Sequence, residues 1–310
     1  REGLFYCAKD LNCLLLVFTK KVPMQYPATE LVLDANGHVY HLGLLIDNVA
    51  ENVILVGDQG RVDLVASFFD SIEHSSQHRE FVCKTGMYKG KRITALSTGI
   101  GTDNIDITIN ELDALYNIDI ANRVDKKYFT SLNLIRIGTC GILHPEIPVH
   151  SFILSTHAYG LDNVAHFYEI EFNEKEKALN KAITDHIGLP EGIKTYTTEA
   201  SSGLFTKLTS DRTKEGITVT SSGFYGPQGR QLRLKNRTSE LNDKLTSFNS
   251  GGHRITNFEM ESSALFSLGK ALGHECATIC LGIANRPNKE FSTGYNDDML
   301  ELIEYVLDRI

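Results

Sequence analysis

The chain has 310 residues, 42% hydrophobic and 23% charged, an ordinary globular composition with enough length for one sizeable core or two small ones. Its formal net charge of −8 argues against a nucleic-acid surface, which takes clustered Lys and Arg. Any anionic ligand must therefore be held by a few local arginines.

The first apolar stretch, Leu11–Phe18, is short, and Lys20-Lys21 follow it. A secretory signal carries its positive charge before the apolar part, so this order argues against one. No later run reaches the length of a membrane span. Residues 1–23 are read as an N-terminal extension without a catalytic role, Met24 as a candidate start of the domain, and 24–310 as that domain. The six cysteines (Cys7, Cys13, Cys83, Cys140, Cys276 and Cys280) show no paired metal-ligand spacing. They predict free thiols, a reducing compartment and hence a cytoplasmic location; the missing span and the negative charge predict neither membrane nor nucleic acid as partner.

After Tyr40, short β-branched runs alternate with helical patterns. Val53–Val56 predicts a buried strand, Gly57-Asp58-Gln59-Gly60 a turn, and residues 61–69 a helix. Backbone N–H groups at that helix start, with Arg61 beside them, suit an anion. A tight turn with a surface arginine explains the same residues, and the Gly-x-Gly-x-x-Gly spacing of a dinucleotide site is missing. Ile93–Ser97 predicts a strand ending in Thr98-Gly99-Ile100-Gly101, and residues 104–116 a helix. Ala121–Thr130, with Arg123, Asp125, Lys126 and Lys127, reads as a polar insertion.

Leu134–Ile137 predicts a strand ending in Gly138-Thr139-Cys140-Gly141. Arg136, flanked by Ile135 and Ile137, is costly there unless paired. A carboxylate or a bound anion would satisfy it, and Thr139 is placed to hydrogen-bond the same anion. Ser151–Ser155, Lys194–Thr198 and Ile217–Thr220 add strands. The loop Gly223-Phe224-Tyr225-Gly226-Pro227-Gln228-Gly229-Arg230 sets an aromatic face, an amide and a planar guanidinium fork close together. Such a set suits a small planar ring with two carbonyls and an N–H between them, and Phe224 can cover its face. Residues Glu261–Leu272 predict a helix, which Asn257-Phe258-Glu259-Met260-Glu261-Ser262 is expected to open. Two carboxylates two apart cannot both face one way on a helix. One is therefore expected at a ligand such as a sugar diol and the other on backbone or a neighbour; a charged first turn favoured by the helix dipole is the plain alternative. Residues 276–283 predict a long apolar strand and 297–310 a closing amphipathic helix. The alternation predicts an α/β fold with a mostly parallel or mixed sheet, its ligand site at the C-terminal strand ends.

Taken together, these segments resemble the nucleoside phosphorylase family, most closely its uridine phosphorylases. The resemblance rests on His41-Leu42-Gly43-Leu44, Gly57-Asp58 with Arg61, His78-Arg79-Glu80-Phe81, Ser97 to Gly101, Arg136-Ile137-Gly138-Thr139, Phe224-Tyr225 through Gln228-Gly229-Arg230, Asn257 to Ser262, and Ile283-Ala284-Asn285-Arg286. They occur in the family's order. The resemblance implies a phosphorylase-type three-layer α/β/α sandwich with a mixed, partly barrel-like central sheet. It implies reversible phosphorolysis of uridine to uracil and ribose 1-phosphate, a step of pyrimidine salvage and catabolism, with phosphate as co-substrate and no organic cofactor.

By matching positions, Gly57, Arg61, Arg136 and Thr139 would hold phosphate, with Arg79 added from a neighbouring subunit. Met260 and Glu261 would hold ribose, with His41 reaching in from that neighbour. Phe224, Gln228 and Arg230 would read the base. Arg230, Gln228, Arg136 and Glu261 would carry the catalysis. A shared site implies a homo-oligomer, a dimer or a hexamer built from dimers. Relatives with an interface potassium ion use residues matching Glu80, Ile100 and a serine; Asn104 stands at the third place here. The 121–130 insertion is absent from compact bacterial relatives, and Gly226-Pro227 reverses their more usual order. Purine-specific relatives carry an aspartic acid near Asn285, and an asparagine cannot donate a proton as an acid does, which favours a pyrimidine. The alternatives are a purine phosphorylase, a nucleosidase, or a non-catalytic nucleoside-binding protein. The three arginines count against hydrolysis.

Overall fold

The structure, a computed structural model, describes residues 25–310; the expected extension 1–23 lies outside the described residues. Strand β1 (Asn52–Val56) is a run of branched apolar residues because helices cover both its faces. Val53 and Leu55 enter one core cluster, Ile54 and Val56 another. Helix α1 (Gln59–Ala66) follows at once, capped by Asp58, whose carboxylate accepts from Gly60 N at 3.1 Å. It starts two residues earlier than predicted. Strands β2 (Ser71–His78), β3 (Phe81–Tyr88) and β4 (Lys91–Ser97) form an antiparallel meander, and β4 lies parallel to β1. The sequence reading leaves β2 and β3 unassigned. β2 is the sheet's edge and mostly exposed, so it carries no apolar alternation.

Helix α2 (Thr102–Asn117) packs on the sheet through Ile105, Ile109 and Leu112. A small hairpin pairs β5 (Ile118–Asp119), just ahead of the predicted polar insertion, with β6 (Val124–Asp125) inside it. Its charges are used inward. Arg123, at φ 57°, donates to the carbonyls of Tyr26 (2.7 Å), Pro27 (3.1 Å) and Leu31, and Tyr26 Oη donates to Asp125 at 2.7 Å. The insertion thus straps residues 26–31 to the domain.

The second half is built on β7 (Asn133–Ile142), β8 (Phe152–Gly160), α3 (Glu174–Ile187), β9 (Tyr196–Glu199), α4 (Ser202–Leu208), β10 (Thr213–Thr220), α5 (Leu241–Ser247), β11 (Asn249–Ser250), β12 (His253–Glu259), α6 (Ser262–Leu272), β13 (Glu275–Asn285), β14 (Glu290–Phe291) and α7 (Asn296–Leu307). β7 pairs with β1 over its first half and with β12 over its last residues. With β13, β8 and β10 between them, five strands close into a ring: β7-β13-β8-β10-β12. Bulges at Gly216/Ile217 and Gly282/Ala284 bend the long strands. The result is the expected three-layer sandwich with a mixed sheet partly closed as a barrel. α1, α4 and α7 cover one face, α2 and α6 the other, and α3 and α5 flank the barrel.

The sequence reading also leaves α3 unassigned, although its signals are local. Asn173 and Glu176 form a reciprocal capping box, and Gly188 ends the helix at φ 63°. Among the described residues no helix is long and apolar enough to cross a membrane. Cys83, Cys140, Cys276 and Cys280 are free and buried.

Candidate active site

A cavity of about 930 Å³ opens above the ends of β1 and β4 and beside the second half of β7. The turn after β1 supplies Gly57, Asp58, Gln59 and Arg61. β7 supplies Arg136, Thr139, Cys140 and Gly141. The loop after β10 supplies Phe224, Gln228 and Arg230, and the β12–α6 corner supplies Glu259, Met260 and Glu261. Nine of the predicted residues therefore meet in one space: Gly57, Arg61, Arg136, Thr139, Phe224, Gln228, Arg230, Met260 and Glu261.

The floor is cationic. Strand alternation sends Ile135 and Ile137 to the α1/α7 core and leaves Arg136 facing the start of α6. Arg136 ion-pairs with Glu261, and its Nε lies 3.6 Å from Glu259 Oε2. Burial alone would push this guanidinium down, but the two carboxylates hold it above its ordinary value. Its Nε and Nη1 still have no hydrogen-bond partner. Gly138 makes room for it: a Cβ there would run into Arg136 Nη1 and stand 2.9 Å from Cys280 Sγ. Arg61 is 8% exposed and donates to the Ile137 carbonyl at 3.3 Å. Burial pushes Arg61 below its ordinary value and the charge of Arg136 adds to that. Among the described residues it ion-pairs with no carboxylate. A buried cation in that state calls for an anion.

The carboxylates correct one expectation. α6 starts at Ser262, one residue after the expected Glu261, but β12 runs to Glu259, so the two carboxylates do not share a helical turn. On this corner both carboxylates turn toward Arg136, which helical spacing would forbid. Glu259 is held by Thr220 Oγ1 (2.6 Å) and by the N–H groups of Glu261 and Ser262 (both 2.9 Å). Glu261 accepts from Gly101 N at 2.8 Å and from Met260 N at 3.2 Å. Glu259 is therefore the structural member and Glu261 the one beside Met260.

At the other end, Gln228 is buried and Phe224 is 47% exposed. Arg230 lies over the Phe224 ring at 3.7 Å and donates to Gln228 Oε1 (2.5 Å) and Phe224 O (2.7 Å). Burial, with the nearby charge of Arg286, lowers its guanidinium to about 10. Arg286 carried part of the sequence resemblance without a role. It flanks Gly141 together with Arg230, has a buried Nη1 without a partner, and is itself pushed down by burial. Asn242 joins this end, its amide donating to Gln228 O (3.3 Å) and accepting from Arg286 Nη2 (3.0 Å). Nothing in the sequence marks Asn242.

Asn285, the position that favours a pyrimidine over a purine in the sequence, is spent on the fold. It is buried, its amide donates to the carbonyls of His144 (3.0 Å) and Ile147 (2.8 Å), and its oxygen accepts from Asn288 N (3.0 Å). Those bonds use both its donors.

His41 and Arg79 do not line this chain's cavity. His41 Nδ1 pairs with Glu111 at 2.6 Å, and Arg79 stacks over Tyr40 at 5.1 Å and donates to its hydroxyl at 3.2 Å. Both belong to one surface patch, linked to the cavity rim by Gln59 Nε2, which donates to Arg79 O at 3.3 Å. Glu80, Ile100 and Asn104 sit side by side on the cavity's exposed side; a Cβ on Gly99 would meet Asn104 Nδ2 at 2.6 Å and Glu80 Cγ at 3.4 Å. They offer one carboxylate and one amide, an incomplete oxygen shell within one chain. Among the described residues no three His, Cys, Asp or Glu side chains are grouped to hold a metal.

A family model described as the phosphorylase superfamily matches residues 51–306. The chain is 29% identical over 279 residues to a uridine phosphorylase of Thermococcus kodakarensis, covering 88% of this chain and 84% of that one. It is 36% identical over 119 residues to a DeoD-type purine nucleoside phosphorylase of Alkaliphilus metalliredigens, covering 38% and 46%. A crystal structure of a Trypanosoma brucei nucleoside phosphorylase described as showing uridine phosphorylase activity superposes with a TM-score of 0.82 at 29% identity, over 90% of this chain and 98% of that one.

Proposed function

Because the chain belongs to the phosphorylase superfamily, we propose that it is a uridine phosphorylase, cleaving uridine with phosphate to give uracil and ribose 1-phosphate. One observation carries the reading: a buried, unpaired Arg61 beside Arg136 shares a cavity with the Phe224, Gln228 and Arg230 set. The first pair suits a phosphate dianion and the second a ring with carbonyl edges.

In this reading Arg61, Arg136, Thr139 and the N–H groups after Gly57 seat phosphate below the anomeric carbon, making attack effectively intramolecular. Glu261, with Met260 beside it, holds the ribose hydroxyls. The glycosidic bond breaks ahead of attack. Positive charge on the sugar faces the phosphate, and negative charge grows on the uracil carbonyls. Arg230 meets that charge, leaving the Phe224 face to the base, and Gln228 fixes the ring's orientation. Both bond changes are heterolytic at one carbon, so no organic cofactor enters. His41 and Arg79 act on the site of a second copy, a role supported by their place outside this chain's cavity.

The test is uracil release from uridine with and without phosphate, with inosine in parallel. Phosphate-dependent cleavage of uridine is expected. Preference for inosine would move the chain to the purine branch, and cleavage without phosphate would make it a nucleosidase. Asn285→Ala is expected to cost about 2–4 kcal/mol, since two buried carbonyls lose their donors. A shifted urea midpoint with an unchanged uridine-to-inosine ratio is the expected result, and an altered ratio would give Asn285 a part in choosing the base.

A further inference from the structure

Tyr295 lies beyond the segments that carry the resemblance, yet it lines the same cavity as Gly57, Asp58 and Arg61. We propose that Tyr295 is a further phosphate-positioning residue, its hydroxyl donating to an oxygen of the anion that Arg61 holds; this rests on the phosphorolysis proposed above. The hydroxyls of Tyr88, Tyr116, Tyr196 and Tyr305 are all spent on partners within the protein. That of Tyr295 hydrogen-bonds to no described residue. Tyr295 is near enough to Arg61 that its oxygen, were it ionised, would be felt by the guanidinium, which sets the hydroxyl on the Arg61 side of the shared cavity.

The position is fixed from two sides. The ring packs on the core cluster that holds α1 and α7. The chain leading to it is pinned where Ser292 N donates to Ile283 O at 2.8 Å. His150 bonds Ser292 Oγ through Nε2 at 2.7 Å and pairs with Asp298 through Nδ1 at 2.8 Å. Met299 N donates to Tyr295 O at 2.9 Å, which makes Tyr295 the start of α7. A phenol so held is a preorganised neutral donor. A phosphate dianion has more acceptor positions than the free donors of Arg61 and Arg136 fill.

Tyr295→Phe keeps the packed ring and removes only the hydroxyl. On the full chain, the KM for phosphate at saturating uridine and the Kd for inorganic phosphate by calorimetry should both rise about tenfold, the scale of one hydrogen bond to a charged group. The KM for uridine should move less than about twofold. Unchanged phosphate affinity would overturn the proposal, as would a parallel rise in both KM values, which marks a merely structural role. Should the wild-type chain bind phosphate but release no uracil, the uridine reading fails while the calorimetric comparison still decides for or against Tyr295. A wild-type chain that binds no phosphate sinks both.

Discussion

Arg230→Ala should lower kcat/KM for uridine by about 10²–10³-fold, the scale of losing a preorganised donor to a developing anion. Arg230 lies beside a second cation, Arg286, and pairs with no carboxylate among the described residues. Its charge is therefore not consumed by the fold. Lowered only to about 10, it stays protonated at neutral pH, and half-burial makes each of its hydrogen bonds stronger than in water. The fold should survive. The substitution leaves Gln228 Oε1 without its donor, a cost of about 1–2 kcal/mol, and it removes a repulsion with Arg286. Arg230→Lys keeps the charge but not the planar fork, so it should recover only part of the rate. Initial rates of uracil release, paired with thermal melts, separate these effects. Near-normal turnover in the alanine variant with an unchanged melt would remove Arg230 from the base site.

The parts legible in the sequence are those where local pattern and chemistry coincide. A guanidinium within Ile135-Arg136-Ile137 is conspicuous because an apolar strand tolerates it only with partners, and the structure supplies Glu261 and Glu259. The glycine turn ahead of Arg61 is legible because strand, turn and helix lie next to one another. Illegible parts depend on contacts made far along the chain. Glu259 and Glu261 sit on a strand-to-helix corner set by pairing of β12 with β7 and β10, so a helical reading of their spacing misplaces them. The structural task of Asn285 is hidden until the carbonyls of His144 and Ile147 arrive from 138 and more residues away. Tyr295 and Asn242 lie outside any motif and reach the site only through tertiary packing. The edge strand β2 is hidden for the opposite reason: it buries too little to need an apolar pattern.

Arg136→Met should give the largest loss, because it removes both a phosphate ligand and the cation between two buried carboxylates. Breaking one side of such a cluster costs about 3–5 kcal/mol. The loss carries a pH signature. Burial already raises Glu259, Glu261 adds to that, and Arg136 works against it. Without Arg136, Glu259 retains a proton to higher pH than in the unfolded chain, where glutamate titrates at about 4.3. The folded state then binds more protons than the unfolded state above that value. Stability is fullest below about pH 4.3 and falls as pH rises through the raised folded value. Urea unfolding of the variant should therefore show a larger deficit against the wild type at about pH 8 than at about pH 5. Arg136→Met combined with Glu261→Gln removes one of the two uncompensated carboxylates and its push on Glu259, and should recover part of the stability and lessen that pH dependence. Phosphorolysis should not return, since the anion would still lack its buried donor. If turnover came back with stability in the double variant, Arg136 would be a counterion to Glu261 and nothing more, and the phosphate would have to be held by Arg61, Thr139 and the turn after β1 alone.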